Sequence, residues 1–231
     1  MAMNYNAIIK NNEIKKDYTY KGIVMLTLEI LYPEIKLNNA PEIQNRMNYK
    51  YRREVNKFHS YATNSLFGEA VTEYQDSLKH DFPFRPFDAV MNYTATMNEH
   101  CTLSTFFDQY VFTGGAHGNT IRYSDNSNIQ NGHRIELRNL FQSGEDYTKI
   151  ILTQILKLAD EQFRENPFIY FENYRSLIVK YFDKDSFYFN PDNLSVYYQQ
   201  YQIGPYASGI IVFDIPYQNM GISRPSCDIK K

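Results

Sequence analysis

The chain has 231 residues, 43% of them hydrophobic and 22% charged. At that length about 70% of the extended chain's surface can be buried, enough for a self-sufficient core in one large or two small domains. The net charge is −2 and no basic stripe accompanies it, so the phosphate neutralisation that nucleic-acid binding requires is missing.

The N-terminal stretch "MAMNYNAIIKNNEIKKDYTYKG" has no apolar core of the signal-peptide kind. Met1-Ala2 ahead of Met3 reads as a cloning scar, with the natural chain expected to begin at Met3. The longest apolar run, Ile23 to Leu31, is far too short to cross a bilayer. It forms part of "GIVMLTLEILYP", whose nearly continuous apolar residues predict a strand that Pro33 ends.

Asn38 and Asn39 before Pro41 are the cap residues and early proline of a helix start. Ile43, Met47, Tyr51, Val55, Phe58, Ala62 and Leu66 follow at steps of three or four, a stripe that faces a core. Ala70, Tyr74 and Leu78 extend it to about His80, with a bend expected near Gly68 and an end before Pro83 and Pro86. The run Lys50-Tyr51-Arg52-Arg53, beside Glu54, reads as a solvated helix face.

From Phe87 the period becomes two, with Phe87, Ala89, Met91, Tyr93, Ala95 and Met97 on one face. "NEH" turns the chain into a second strand that ends in "YVFTGGAHG", and "NTIRYS" supplies a third. Asn131-Gly132 marks another hairpin, leading into "HRIELRNLF". "SGED" at Ser143 to Asp146 resembles a capping box, followed by the stripe Tyr147, Ile151, Ile155 and Leu158 up to Asn166-Pro167. A short helix is expected around Tyr174 to Tyr181. Strands "SFYF", "LSVYYQQYQ" and "SGIIVFDIP" close the chain. The pattern predicts an α+β fold: an antiparallel sheet with a long N-terminal helix and further helices packed on it. Residues 1–85 would form a strand-and-helix subdomain and residues 86–231 a sheet-rich one, together one compact unit.

Chemistry is harder to find. No Gly-x-Ser-x-Gly elbow and no Gly-x-x-x-x-Gly-Lys phosphate loop occurs. His59, His80, His100, His117 and His133 are too dispersed for H-E-x-x-H, so no metal is expected; Asp183 and Asp185 lack the glycine and glutamate of a calcium loop. Cys101 and Cys227 form no C-x-x-C. They can make one disulfide only in an oxidising compartment and only if the fold joins them. Tyrosine is abundant, 21 residues against no tryptophan, which fits either a broad sheet or a binding surface. His117 at the Gly114–Gly118 turn has two readings. The backbone N–H groups could form an anion nest with His117 as acid or base, or the glycines could serve a tight turn that the imidazole closes. Without a partner nucleophile the turn is the better reading.

Two stretches, "YVFTGGAHG" (110–118) and "YQIGPYASGIIVFDIPY" (201–217), together with "NGHRIELRNLF" and "LEILYPEI", carry a family resemblance. From about Tyr18 to Met220 the chain resembles the extracytoplasmic domain shared by a bacterial lysozyme-sensing anti-sigma factor and the accessory region of a peptidoglycan deacetylase. Many proteins of low-GC Gram-positive bacteria are similar. The resemblance implies an α+β ectodomain that recognises something at the cell wall. The sigma-binding segment, the membrane helix and the deacetylase's Asp/His metal cluster have no counterpart here, so neither signalling nor deacetylation carries over.

The expectation is therefore a module that binds, without cofactor, a peptidoglycan fragment or a wall-degrading protein such as lysozyme. For so cationic a partner, acidic side chains would speed association and salt would slow it. Thr113, Gly114, Gly115, His117 and Gly118 in one loop, and Gly204, Pro205, Tyr206 and Gly209 in another, are the binding or scaffold candidates. The alternatives are a small hydrolase or transferase using His117 with a carboxylate from another strand, and a cytoplasmic interaction protein, which the missing leader would suit.

Overall fold

Lys21 and Gly22 both hold positive φ, 51° and 81°, as a type I′ turn requires. They fold the chain into a hairpin of β1 (Ile8–Tyr20) and β2 (Ile23–Lys36). The structure is a computed structural model and describes residues 6–229. Met1 to Met3, the expected cloning remnant and start, lie outside the described residues. β1 precedes the first strand that the apolar pattern predicts. It was hidden because Asn11, Glu13, Lys15, Asp17 and Thr19 all face solvent, leaving no apolar alternation to read.

Pro33 does not end β2; it pairs opposite Asn11 in the β1–β2 ladder. The proline is tolerated because β3 covers the other side of β2 only over Leu26–Ile30, so past Ile30 that side needs no ladder donor. Asn48 takes the place of a strand there. Its buried amide accepts from the Ile35 N–H at 2.8 Å and donates to the Ile35 carbonyl at 2.8 Å. Gln44 accepts likewise from the Leu37 N–H at 2.9 Å. A bulge near Tyr18 leaves Met25 unpaired, so that Met25 and Leu26 are both buried.

The helical run is α1 (Pro41–Ser60), a π-helical segment Tyr61–Leu66, and α2 (Phe67–His80). Pro41 sits in the first turn as expected, but the N-cap is Ala40, which offers no side-chain cap. The irregularity lies in the π segment, one turn ahead of Gly68. Met47, Tyr51, Val55, Phe58, Ala62, Leu66 and Ala70 are buried. Beyond Ala70 the stripe drifts by one position: Ser77 is buried, while Leu78 is 66% exposed. Arg53 and Lys57 both pair with Glu54 on the solvated face.

The helix carries the chain back to the end of the sheet where β2 began, so β2 and β3 (Phe87–Glu99) are parallel, a departure from the antiparallel expectation. A two-residue turn at His100 and Cys101, with φ of 49° and 63°, leads to β4 (Thr102–Phe112), and β5 (Asn119–Asn128) follows. The sheet order is β1-β2-β3-β4-β5. After β5 the expected hairpin is reduced to one bridge, Ser127 to Arg134. Helix α3 (Tyr147–Glu165) is capped by Asp146, which accepts from the Lys149 N–H at 3.1 Å, rather than by Ser143. Then come α4 (Tyr174–Tyr181) and a second sheet of β6 (Phe187–Phe189), β7 (Asn193–Tyr198) and β8 (Ile211–Pro216), in the order β6-β7-β8. The α+β class with a long helix on a mostly antiparallel sheet is as expected.

Two compact units interleave along the chain. One comprises Ile8–Tyr93 and Phe107–Ile121, the other Ala7, Thr94–Phe106 and the chain from Arg122 onward. The first has its core between β2, α1 and the start of β3. The second packs Ile151, Ile155, Ala159 and Ile178 of the helices against Phe187, Phe189, Val196, Phe213 and Ile215. Among the described residues no helix is long and apolar enough to cross a membrane.

Within the second unit β6 presents an open edge, because Ser186, Tyr188 and Asn190 face β7. Side chains complete that edge. Asn126 Nδ2 donates to the Phe187 carbonyl at 2.8 Å, Ser104 Oγ accepts from the Phe189 N–H at 2.8 Å, and Thr96 Oγ1 donates to the Phe189 carbonyl at 2.6 Å. Ser104 Oγ also donates to Asn126 Oδ1 at 2.6 Å. A buried polar group left without its partner costs about 1–3 kcal/mol. Asn126→Ala, which strands the Phe187 carbonyl and the Ser104 hydroxyl, should therefore lower unfolding free energy by about 2–4 kcal/mol in urea titrations.

Cys101 and Cys227 form a disulfide, with Cα atoms 4.9 Å apart across a sequence separation of 126. Closing so long a loop removes about 4–5 kcal/mol of unfolded-state entropy in the chain-entropy model. Reduction, or the Cys101→Ser/Cys227→Ser pair, should cost about 2–5 kcal/mol of stability, read as a drop of roughly 5–15 °C in the thermal midpoint.

Candidate functional site

The two candidate loops belong to different units, and each is built for a distinct reason. Residues 113–118 join β4 to β5 in the first unit. Gly114 has φ of 79°, a backbone that a side chain would strain, and Arg85 Nη1 donates to the Gly115 carbonyl at 3.2 Å. At Gly118 an added Cβ would fall 2.3 Å from the Tyr110 ring, so glycine is there to let that ring lie on the backbone. Thr113 and His117 are exposed. His117 Nδ1 lies 3.2 Å from the Gly118 carbonyl.

Residues 203–209 lie in the second unit, between β7 and β8. They are clamped to the short 3₁₀ turn Pro167–Ile169 that follows α3. The Phe171 N–H donates to the Ile203 carbonyl at 3.0 Å, and Ser208 Oγ donates to the Ile169 carbonyl at 2.7 Å. Gly204 is buried, and a Cβ on it would stand 2.2 Å from the Ile169 carbonyl oxygen. This contact is with backbone and cannot be relieved by a rotamer change. Gly209 has φ of 62° and ends a 3₁₀ turn, Tyr206–Ser208, that Pro205 opens.

Three aromatic side chains stand on this clamp. Tyr201, itself at φ of 65°, is 50% exposed, and its ring centroid lies 5.8 Å from that of Tyr206. Phe168 is 83% exposed, and its N–H is held by Asn166 Oδ1 at 3.1 Å. Phe168 lies outside the stretches that the sequence marks, and Tyr201 heads the stretch 201–217 without being a binding candidate. No local pattern marks them, since their exposure follows from the packing of two distant loops.

Several other tyrosines are held by hydrogen bonds within the fold. The Tyr198 hydroxyl donates to the Ile178 carbonyl at 3.0 Å and Tyr217 to the Asn190 carbonyl at 2.9 Å; burial pushes both phenols well above their ordinary pKa. Tyr174 donates to Asp160 at 2.7 Å, and this bond, with Arg175 also on the carboxylate, holds Asp160 below its usual range despite partial desolvation. The histidines stay apart: His59 meets the Tyr18 hydroxyl at 3.2 Å and His80 the Asp76 carbonyl at 3.0 Å. Among the described residues no group of three or more His, Cys, Asp or Glu is placed to hold a metal ion. Asp183 serves its own loop, accepting from the Asp185 N–H at 2.9 Å and from Ser186 Oγ at 3.1 Å.

Residues 23–120 match the family model described as "Deacetylase PdaC", and residues 138–218 match that of a protein family of unknown function, DUF3298. Among curated proteins none matches the chain. Two solved structures share the fold. A DUF3298 family member from Bacteroides fragilis has a TM-score of 0.72 at 16% identity, covering 98% of this chain and 97% of that one. A DUF3298 family protein from Pseudomonas aeruginosa PAO1 has a TM-score of 0.61 at 15% identity, covering 98% of each.

The two kinds of glycine separate cleanly by experiment. Gly204→Ala forces the backbone at Ile169 apart and should cost about 2–3 kcal/mol. Gly115→Ala, which meets nothing within 4 Å, should stay within about 0.5 kcal/mol of wild type in the same denaturant titration.

Proposed function

We propose that this chain is a recognition module of the cell envelope that binds a cell-wall glycan and catalyses no reaction on it. The observation that carries the reading is the Tyr201–Tyr206 ring pair, with Phe168 exposed on the turn to which that loop is bonded through Ser208. Flat rings with few rotatable bonds offer stacking surface at low entropic cost. Fixing them on two clamped turns places that cost in folding rather than in binding.

The match of residues 23–120 to a family described as a deacetylase supports a setting at the wall. The resemblance to the ectodomain of a lysozyme-sensing anti-sigma factor points the same way. The Cys101–Cys227 disulfide supports an oxidising compartment and tells against the cytoplasmic alternative. In this reading the 113–118 loop is scaffold: Gly118 receives the Tyr110 ring and Arg85 ties down Gly115. His117, exposed at the edge of that turn, is not assigned a proton-transfer role.

Titration calorimetry with soluble muropeptides tests this directly. Wild type should bind, and Tyr201→Ala and Phe168→Ala should each weaken binding by roughly tenfold, the scale of a truncated aromatic anchor, with thermal midpoints unchanged. Absence of heat with every muropeptide, or affinity indifferent to both substitutions, would remove the reading. Binding to lysozyme alone, weakened by salt, would replace the glycan with a protein partner.

A further inference from the structure

We infer that the open edge of β1 is a self-association surface, pairing antiparallel with β1 of a second copy of this chain about a two-fold axis at Ile14. β1 is the outermost strand of its sheet and runs for 13 residues, IIKNNEIKKDYTY, so it leaves a long row of backbone donors and acceptors on the side away from β2. The bulge in the β1–β2 ladder falls on β2, where Met25 is the extra residue, and β1 itself continues without interruption. Such an edge invites strand addition, and the most economical partner for an isologous contact is the same strand of another copy.

The sequence of β1 selects one register. Residues directly opposite in an antiparallel ladder point to the same face of the sheet, so a two-fold axis must pass through a residue rather than between two. Centred on Glu13, the pairing opposes Glu13 to Glu13 and Lys10 to Lys16. Centred on Lys15, it opposes Lys15 to Lys15 and Glu13 to Asp17. Centred on Asn12 it spans only residues 8–16 and sets Ile8 and Ile9 against Lys16 and Lys15; centred on Lys16 it opposes Lys16 to itself.

Centred on Ile14, all of Ile8–Tyr20 is paired. Ile14 meets Ile14, Glu13 meets Lys15 twice, Lys10 meets Tyr18, Asn11 meets Asp17, and no like charges stand opposite. A strand whose charges only kept neighbours away would not be expected to match itself in its fullest register and clash in the adjacent ones. Lys15 is 63% exposed at its side chain and already pairs with Glu29 on the β2 side. The partner's Glu13 would approach it from the open side, extending the row Glu29–Lys15 by one more carboxylate.

Sedimentation equilibrium on the wild-type chain and two variants tests the surface. Glu13→Lys sets two ammonium groups opposite each other, the new one against Lys15 of the other copy, twice per dimer, while leaving the Lys15–Glu29 pair intact. It should raise the dimer dissociation constant by roughly tenfold, given the size of a cross-strand charge reversal. Glu13→Lys/Lys15→Glu recreates both opposite-charge pairs between copies and should restore association to within about threefold of wild type, even though within the chain it replaces the Lys15–Glu29 pair by a carboxylate opposite Glu29. That asymmetry separates an intermolecular effect from a local one. A wild-type chain that stays monomeric up to about 1 mM, which would leave less than about 4 kcal/mol of association free energy, overturns the inference. So does a dimer that Glu13→Lys leaves unchanged, or one that the double variant does not recover.

Discussion

Backbone donors and acceptors at strand edges must find partners once they leave water, and this protein meets that demand repeatedly with side-chain amides and hydroxyls. Asn48 serves Ile35 on β2, Asn98 serves the N–H and carbonyl of Ala7 at 2.8 and 2.7 Å, and Gln199 serves those of Arg122 at 2.9 and 2.6 Å. Each amide presents one acceptor and one donor at the spacing of a peptide group, so it stands in for one residue of a missing strand. The densest case is β6, whose outer edge is completed by Thr96, Ser104 and Asn126. Ser104 and Asn126 have no exposed surface, so removing one of them leaves its partners with no water to turn to.

That arrangement shapes what the second unit can present. With β6 fixed by hydrogen bonds, β7 and β8 are placed behind it, and the loop between them is drawn against the turn after α3. Gly204 lies under the Ile169 carbonyl and Ser208 donates to the same oxygen. The result is a surface where Phe168 and Tyr201 are exposed and Tyr206 lies half-buried beside Tyr201. The 113–118 loop uses glycine differently. It accommodates the Tyr110 ring, and the bonds to Gly115 and Gly118 close the turn on itself. Glycine-rich composition is common to both loops, but only one carries projecting aromatics.

The disulfide adds a covalent constraint to these hydrogen bonds. Cys101 sits in the tight β3–β4 turn at φ of 63°, a conformation that costs about 1–2 kcal/mol for a side chain other than glycine. Its bond to Cys227 ties the last segment of the chain to that turn, and the Arg224–Glu99 ion pair at 3.3 Å runs parallel to it. Being exposed, the ion pair adds little, about 0–1 kcal/mol; the segment is held besides by the disulfide and by Ile222 and Ile229, which pack against the core.

The sequence by itself determined most of the elements. The stripe from Met47 to Ala70, the period of two from Phe87, the helix Tyr174–Tyr181 and the three closing strands were legible because each buries one face and its apolar spacing records that burial. It also marked the two glycine-bearing loops as connections between strands. Other features left no local trace. β1 is solvated along one face; Pro33 is permitted by where β3 stops; the N-cap of α3 falls on Asp146 because of where the chain enters the helix; and Ser77 replaces Leu78 in the stripe. The joining of Cys101 to Cys227 and the exposure of Phe168 and Tyr201 depend on residues far apart in the chain. Tertiary structure alone decided these, since periodicity reports only what one segment buries, whereas edge pairing, close approach and exposure depend on which distant segment arrives beside it.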